Sequence, residues 1–483
     1  MVGKHGSTST ATKPAGAEIR LSTPWLGDLY RPGGNPLPFT DLGNAKRLAL
    51  GSGSDIRYCH TWKKWLFWDG RRWIKDEIGE IHRRAKQAVI GMLFEAATAD
   101  ESQRKAIIAW QQKSEAEPRI RAMIKLAESE PGIPVHPSEL DVDIWLLNCH
   151  NGTLDLRTRT LREHRREDLI TKLVPVAHDP EGKCPIWLSF LDRAASGSTD
   201  LKNFLKRATG YSLTGSTREH CLFLLYGTGA NGKTTFLEAL RYELGNYGMQ
   251  AAFDSFMTNL RGNGIRNDLA RLAGARLVTA TEGDDGRRLA ESIIKHLTGG
   301  DTVTARFLYG EHFEFRPQFK LWLATNHRPV IRGTDEGIWR RIRLVPFTIT
   351  IPPEERDPDL IDKLRGEAAG ILNWALDGLT DYLSEGLKPP AEVIAATAEY
   401  REDQDILQHF IDSKCVMSPT AYSTAAQLYA SYKSWREETG EHQISQRAFG
   451  LALREHGFQK VPRRNGIEWH GIGLREGRCE GCE

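Results

Sequence analysis

Cys221-Leu-Phe-Leu-Leu-Tyr226 runs directly into Gly227-Thr-Gly-Ala-Asn-Gly-Lys-Thr234, and then into Thr235-Phe-Leu-Glu-Ala-Leu240. A short apolar run stopped by glycine reads as a buried strand. Phe236, Leu237, Leu240 and Leu244 recur at helical spacing. Between strand and helix stands the pattern G-x-x-x-x-G-K-[ST]. Glycines at Gly227, Gly229 and Gly232 let the backbone curl so that several N–H groups point at one anion. The start of the following helix adds partial positive charge there. Lys233 is spaced to reach the outer phosphates and Thr234 to bind Mg²⁺, with Thr228, Ala230, Asn231 and Thr235 completing the cradle. The stretch predicts a nucleoside triphosphate site, with ATP and Mg²⁺ as its cofactors.

Two further apolar strands end in polar residues, where a parallel sheet gathers its ligands. Arg276-Leu-Val-Thr-Ala-Thr-Glu282 carries a carboxylate suited to holding the magnesium or orienting the attacking water, with Asp284, Asp285 and Glu291 as rivals. Phe319-Lys-Leu-Trp-Leu-Ala-Thr-Asn326 ends in an amide that can bond the γ-phosphate or the lytic water. In Trp339-Arg-Arg-Ile-Arg-Leu-Val-Pro-Phe347, Arg340 and Arg341 cannot both face one environment. One use for them is an arginine finger inserted into a neighbouring subunit's site. From Cys221 to about Phe347 strands alternate with helices, which predicts an α/β core with a mainly parallel sheet.

Ahead of this core, Trp62–Trp73 reads as a hairpin about Asp69-Gly70, and helical patterns follow over 77–99 and 101–128. A second hairpin is expected near 145–163, and a short helix over 201–214. Residues Thr302–Phe315 read as two strands around Phe307-Leu-Tyr-Gly310. They offer Arg306 for phosphates and Tyr309 for stacking, with Lys295 and His296 close by. Past Leu387-Lys-Pro-Pro390 the pattern turns helical. Leu428, Tyr429, Tyr432 and Trp435 mark one helix; Ser445 caps a second, which ends at Gly457; a hairpin then turns at Asn465-Gly466. This is a winged-helix pattern, with Gln446, Arg447 and Arg454 on the exposed helix face and Arg463 and Arg464 on the wing.

Lys+Arg 65 against Asp+Glu 63 leaves a formal charge of +2, so contact with nucleic acid must be local. No apolar run approaches the ~18–20 residues that span a bilayer, and the Ser/Thr/Gly-rich start lacks a secretory h-region. A soluble protein of the cytoplasm, the bacterial host's if phage- or plasmid-encoded, is expected, with reduced cysteines. Cys479 and Cys482 form a lone pair at a frayed tail. Asp141-Val-Asp143 has no companion acid or His cluster to make it a metal centre.

The motifs together resemble the helicase half of the phage and plasmid primase–helicases, superfamily 3 helicases within the AAA+ ATPases. The matching stretches include Asp268–Val278, Glu291–Asp301, Phe313–Asn326 and Gly333–Arg341, with Asp41–Ala45 and Asn151–Arg157 upstream. The resemblance runs from about residue 38 to 350. It implies that 227–234 is the Walker A motif, Glu282 the Walker B acid and Asn326 sensor 1. Residues 291–301 and the next hairpin would face single-stranded DNA in the channel of a hexameric ring, and Arg340 and Arg341 would stand where the finger is expected. Thr281 and Gly283 flank Glu282 where many such ATPases carry paired acids. Longer members place a polymerase-type primase ahead of the helicase half, whereas the residues before this loop match the helicase's own leading domain.

The expected fold is thus α/β: a leader over 1–17, an α+β N-terminal domain over 18–200, an AAA+-type P-loop ATPase core over 201–385, a winged-helix-like domain over 400–475 and a tail over 476–483. The expected function is an ATP-dependent hexameric DNA helicase acting on single-stranded and forked DNA, with a separate primase or polymerase as a possible partner. The alternatives are a DNA-binding initiator whose P-loop is a nucleotide switch, and a non-unwinding AAA+ loader.

Overall fold

The computed structural model describes residues 37–258, 267–281, 287–306, 312–331, 336–440, 445–464 and 466–475. The leader, Glu282, Asp284, Asp285, Tyr309, Asn465 and the Cys479–Cys482 pair lie outside them. The described residues form two compact units: one takes in 37–68 with 74–137, the other 69–73 with those from 138 onward.

The first unit begins with α1 (Asp41–Ser52), capped by Thr40, whose hydroxyl accepts the Gly43 N–H. β1 (Ile56–Cys59) pairs antiparallel with β2 (Lys64–Trp68), and β3 (Trp73–Lys75) completes the sheet in the order β1-β2-β3. The expected hairpin is present, with Gly70 at φ 96° in its turn. α2 (Glu80–Thr98), α3 (Glu101–Ser114) and α4 (Glu117–Ala127) follow. The pattern read as one helix over 101–128 is two, because Pro118 opens α4 and cannot extend α3. Ile81, Ala85, Val89 and Met92 line the buried face of α2 at helical spacing.

The second unit opens with an antiparallel meander, β4 (Leu146–Cys149), β5 (Gly152–Asp155) and β6 (Thr160–Arg162), the hairpin expected near 145–163. Then come α5 (Pro185–Ala194), α6 (Thr199–Leu213), β7 (Leu222–Tyr226), α7 (Lys233–Leu244), β8 (Gly248–Gln250), α8 (Asn267–Ala270), β9 (Leu277–Thr281) and α9 (Glu291–Thr298). The hairpin β10 (Val303–Arg306) and β11 (His312–Phe315) is followed by β12 (Lys320–Thr325), α10 (Glu336–Trp339) and β13 (Ile342–Pro346). The central sheet has the order β13-β7-β12-β9-β8, and every pairing in it is parallel.

Both faces of that sheet are buried, which is why β7 reads as an unbroken apolar run. Phe223 and Leu225 enter the core under α5, α6 and α7; Leu222 and Leu224 enter the opposite core with Val278, Leu321 and Leu344. Trp187 anchors the first core, stacked on Phe236 at 5.5 Å and edge-on to Trp374 at 5.3 Å. α11 (Leu360–Gly366) and the long α12 (Ala368–Glu385) close that side. α12 crosses α6 backbone to backbone. A Cβ on Gly210 would overlap the main chain at Gly378 and Leu379, and one on Gly378 would overlap Lys206 O. Gly210→Ala is therefore expected to cost about 3 kcal/mol of stability, read as a lowered midpoint in denaturant unfolding.

α13 (Ala391–Asp403) leads into α14 (Ile406–Lys414), β14 (Cys415–Thr424), α15 (Ala425–Thr439), α16 (Gln446–Glu455), β15 (Gln459–Arg463) and β16 (Gly466–Leu474). The sheet order is β14-β16-β15. Phe410, Tyr432, Phe449 and Trp469 pack as its core. Ser445 caps α16 as expected, its hydroxyl accepting the Ala448 N–H at 3.2 Å. β14 was not anticipated. Val416, Met417 and Tyr422 are exposed and Pro419 interrupts the run, so no alternating pattern marks it. Among the described residues no helix is long and apolar enough to cross a membrane.

Candidate active site

The ends of three parallel strands set the site. Tyr226 is in register with Thr325, and Ala324 with Thr281, so β7, β12 and β9 finish at one level. β7 has β12 on one side and β13 on the other, both later in the chain, and its loop opens at that crevice.

The loop from Gly227 to Gly232 is shaped by close approach and left-handed residues. Gly227 approaches Asn231 Nδ2 and Phe347 O so closely that any Cβ would overlap both. Gly229, Ala230 and Gly232 have φ of 110°, 49° and 85°. Ala230, an L-residue in the left-handed region, stores about 1 kcal/mol of strain. Tyr226 O accepts the Phe347 N–H at 2.7 Å, Ala230 O accepts the Ile351 N–H at 2.7 Å, and Asn231 Nδ2 donates to Phe347 O at 3.0 Å. The loop is thus fastened to the chain leaving β13.

Lys233 opens α7. Its ammonium donates to Gly227 O at 2.7 Å, Asn231 Oδ1 at 2.8 Å and Asn326 Oδ1 at 3.0 Å. The side chain is 5% exposed, and burial pulls its pKa down to about 8. Among the described residues these three acceptors are neutral oxygens, so the ammonium meets dipoles there. Thr228 and Thr234 are exposed at the loop and the first turn of α7, and Thr235 is half-buried. Asn326 stands just past β12, exposed apart from its bond to Lys233. The structure therefore unites the loop, Lys233 and Asn326. The strand leading to Glu282 ends at Thr281, opposite Ala324.

The two arginines separate, as their adjacency required. Arg340 is exposed at the end of α10. Arg341 is 9% exposed; its Nε donates to Thr298 Oγ1 at 3.2 Å and its guanidinium also bonds Gly337 O. Arg341 fastens α9 to α10, and of the pair Arg340 is the one presented outward.

Lys295 is half-buried and His296 exposed in the last turn of α9, and Arg306 is half-buried at the end of β10. Arg447, Arg454 and Arg464 are exposed at α16 and the β15–β16 turn. Arg463 is exposed but paired with Glu468 at 3.0 Å. Asp141 accepts the Thr171 N–H at 2.7 Å; Asp143 accepts the Trp145 N–H at 2.9 Å and pairs with Arg157 at 3.2 Å, so both serve local structure. Among the described residues no group of three or more His, Cys, Asp or Glu side chains is arranged to hold a metal ion. The sequence reading missed Arg328, two residues past Asn326, whose guanidinium lies 4.7 Å from the ring of Tyr226. No motif marks it; only its company in space does.

The fold and these strand ends define a mixed α/β protein with a glycine loop at the carboxyl edge of a parallel sheet. The chain is similar to viral proteins named as putative helicases and a putative primase, in keeping with the resemblance its motifs carry. Residues 45–196 match the D5 N terminal like family, and 225–341 a family of unknown function (DUF5906). The chain is 28% identical over 323 residues to "Putative helicase L207/L206" of Acanthamoeba polyphaga mimivirus, covering 61% of this chain and 33% of that protein. It is 25% identical over 324 residues to "Putative primase C962R" of African swine fever virus (61% and 34%), and 25% over 272 residues to "Putative helicase 022R" of Frog virus 3 (52% and 28%). The chain thus spans about a third of the length of the curated relatives it matches. It also aligns with the A form apo structure of the NrS-1 C-terminal region, at 10% identity and a TM-score of 0.49, over 87% of this chain and 96% of that one.

Proposed function

We propose that this chain is the ATP-hydrolysing motor of a replicative DNA helicase of a phage or mobile element. Its AAA+-type P-loop core works in a hexameric ring on single-stranded DNA, and its C-terminal helix–helix–hairpin segment is a winged helix for DNA. The observation that carries the reading is the buried Lys233 ammonium, held between the loop and Asn326 by neutral oxygens among the described residues. Relatives named as viral helicases and a primase support a role in replication.

In the proposed cycle, Lys233 exchanges its carbonyl-type partners for the β- and γ-phosphates, which also frees the Asn326 amide to bond the γ-phosphate or the lytic water. The N–H groups at the start of α7 and in the loop hold the remaining phosphate oxygens. The exposed Thr234 hydroxyl, with Glu282 as the expected carboxylate, suits Mg²⁺, which when bound neutralises charge on the phosphates. Arg340 of an adjoining protomer stabilises the transition-state charge. Arg306 and Tyr309 with Lys295 and His296 in the channel, and Arg447, Arg454, Arg463 and Arg464 on the winged helix, provide cations and a ring for DNA.

Because burial lowers the Lys233 pKa to about 8, the ligand-free chain loses this charge as pH rises through that value. A bound triphosphate favours the charged form, so binding above pH 8 takes up a proton. ATP affinity is expected to be flat below about pH 7.5 and to fall by up to tenfold per unit above pH 8. Fluorescent-nucleotide titration from pH 6.5 to 9.5 checks this, and a flat profile through pH 9.5 would contradict the assignment. Slow hydrolysis unaffected by single-stranded DNA would point to a nucleotide switch instead of a motor.

A further inference from the structure

We propose that Arg328 is a positioning residue that couples the nucleotide site to the C-terminal helix–hairpin segment, by tying the ends of β7 and β12 to α13. The inference rests on the ATPase reading above and deepens it.

Arg328 follows Asn326 by two residues. Its Nη2 pairs with Glu399 at 2.8 Å and its Nη1 with Asp403 at 2.6 Å, two acids one turn apart on α13. The same guanidinium lies over Tyr226, the residue that immediately precedes Gly227, and 5.8 Å from the ring of Tyr400. A planar cation can meet two carboxylates at its edge while its face rests on an aromatic ring; a lysine cannot do both. Three further ties join α13 to the stretch between Asn326 and Arg340. Tyr400 donates its hydroxyl to Pro329 O, Gln404 Oε1 accepts the Ile331 N–H at 3.0 Å, and Arg401 pairs with Glu336 at 2.9 Å.

α13 passes directly into the C-terminal segment. Asp405 caps α14 by accepting the Gln408 N–H at 2.9 Å, and its other oxygen meets His456 Nε2 at 2.9 Å, just past α16. A near-continuous run of bonds and cation–ring contacts therefore leads from Lys233 through Asn326, Arg328, α13 and Asp405 to α16, which carries Arg447 and Arg454. When Lys233 and Asn326 change partners on nucleotide binding, the strand end bearing Arg328 must adjust, and α13 is the element it holds. Glu399 and Asp403 are mostly exposed, so the tie is weak enough to be biased by a ligand at either end.

The test uses the full chain with Glu399→Gln and Asp403→Asn combined, and separately Arg328→Lys, with ATP turnover measured with and without a single-stranded oligothymidylate. The double variant is expected to keep the unstimulated turnover and the KM for ATP within about twofold, while stimulation by DNA falls about five- to tenfold. Arg328→Lys, which retains one ion pair, is expected to lose less. Stimulation unchanged in both variants would overturn the proposal. So would a parallel fall in stimulated and unstimulated turnover, which marks a packing role. Turnover that survives Lys233→Ala in the same assay would instead overturn the site reading on which the inference rests.

Discussion

Lys233→Ala is expected to lower ATP turnover by about 10²–10³-fold while the chain still folds and assembles. The ammonium is the charged group of the loop that the structure holds in reach of both Gly227 O and Asn326. Truncation removes the cation that meets transition-state charge on the phosphates. The cost in stability is confined to three oxygens that lose a donor, about 1–3 kcal/mol, so the melting transition should move by only a few degrees. Lys233→Arg should fail as well. Gly227 is too crowded to admit even a Cβ, and a planar fork does not fit where a compact ammonium sits among three oxygens.

Mixing two inactive chains should restore activity if the site is shared. Arg340→Ala is expected to lower turnover by about 10³-fold or more, in the range of arginine fingers. Its exposure at the end of α10, beside an inward-turned and engaged Arg341, makes it the arginine of the pair able to reach another protomer. In a ring with head-to-tail interfaces, an Arg340→Ala chain keeps its loop and borrows Arg340 from a Lys233→Ala neighbour. Random mixing then completes roughly a quarter of the interfaces, and turnover should recover toward that fraction. No recovery, from chains shown to co-assemble, would contradict a finger in trans. Arg341→Ala should act otherwise, destabilising the chain because Thr298 and Gly337 lose a buried donor.

What could be read from sequence followed the strength of local physics. β7 and its glycine loop were legible because a strand buried on both faces must be apolar throughout, and because the left-handed turns at Gly229 and Gly232 leave few alternatives to glycine. The Trp62–Trp73 hairpin, a hairpin within 145–163 and the Ser445 cap of α16 were legible for similar reasons of turn and cap chemistry. Other features have no local signature. β14 buries only Cys415 and Ser423 near its two ends and exposes most of the side chains between, so its residues carry no alternation. The close crossing of α6 on α12 is a property of two segments far apart in the chain. Arg328 looks like any surface arginine until α13 brings Glu399 and Asp403 to it. The two adjacent arginines stood between these cases: sequence required them to face different ways, but only the packing of α9 against α10 decided which one turned inward.

Strand displacement is the defining act of the proposed motor. A labelled strand annealed in a forked duplex, with 5′- and 3′-tailed versions in parallel, is incubated with the chain, Mg²⁺ and ATP, and Lys233→Ala serves as the control. The account predicts release of the strand from the fork only when ATP and an intact Lys233 are both present. ATP consumed with no strand released, or release that persists in Lys233→Ala, would contradict it.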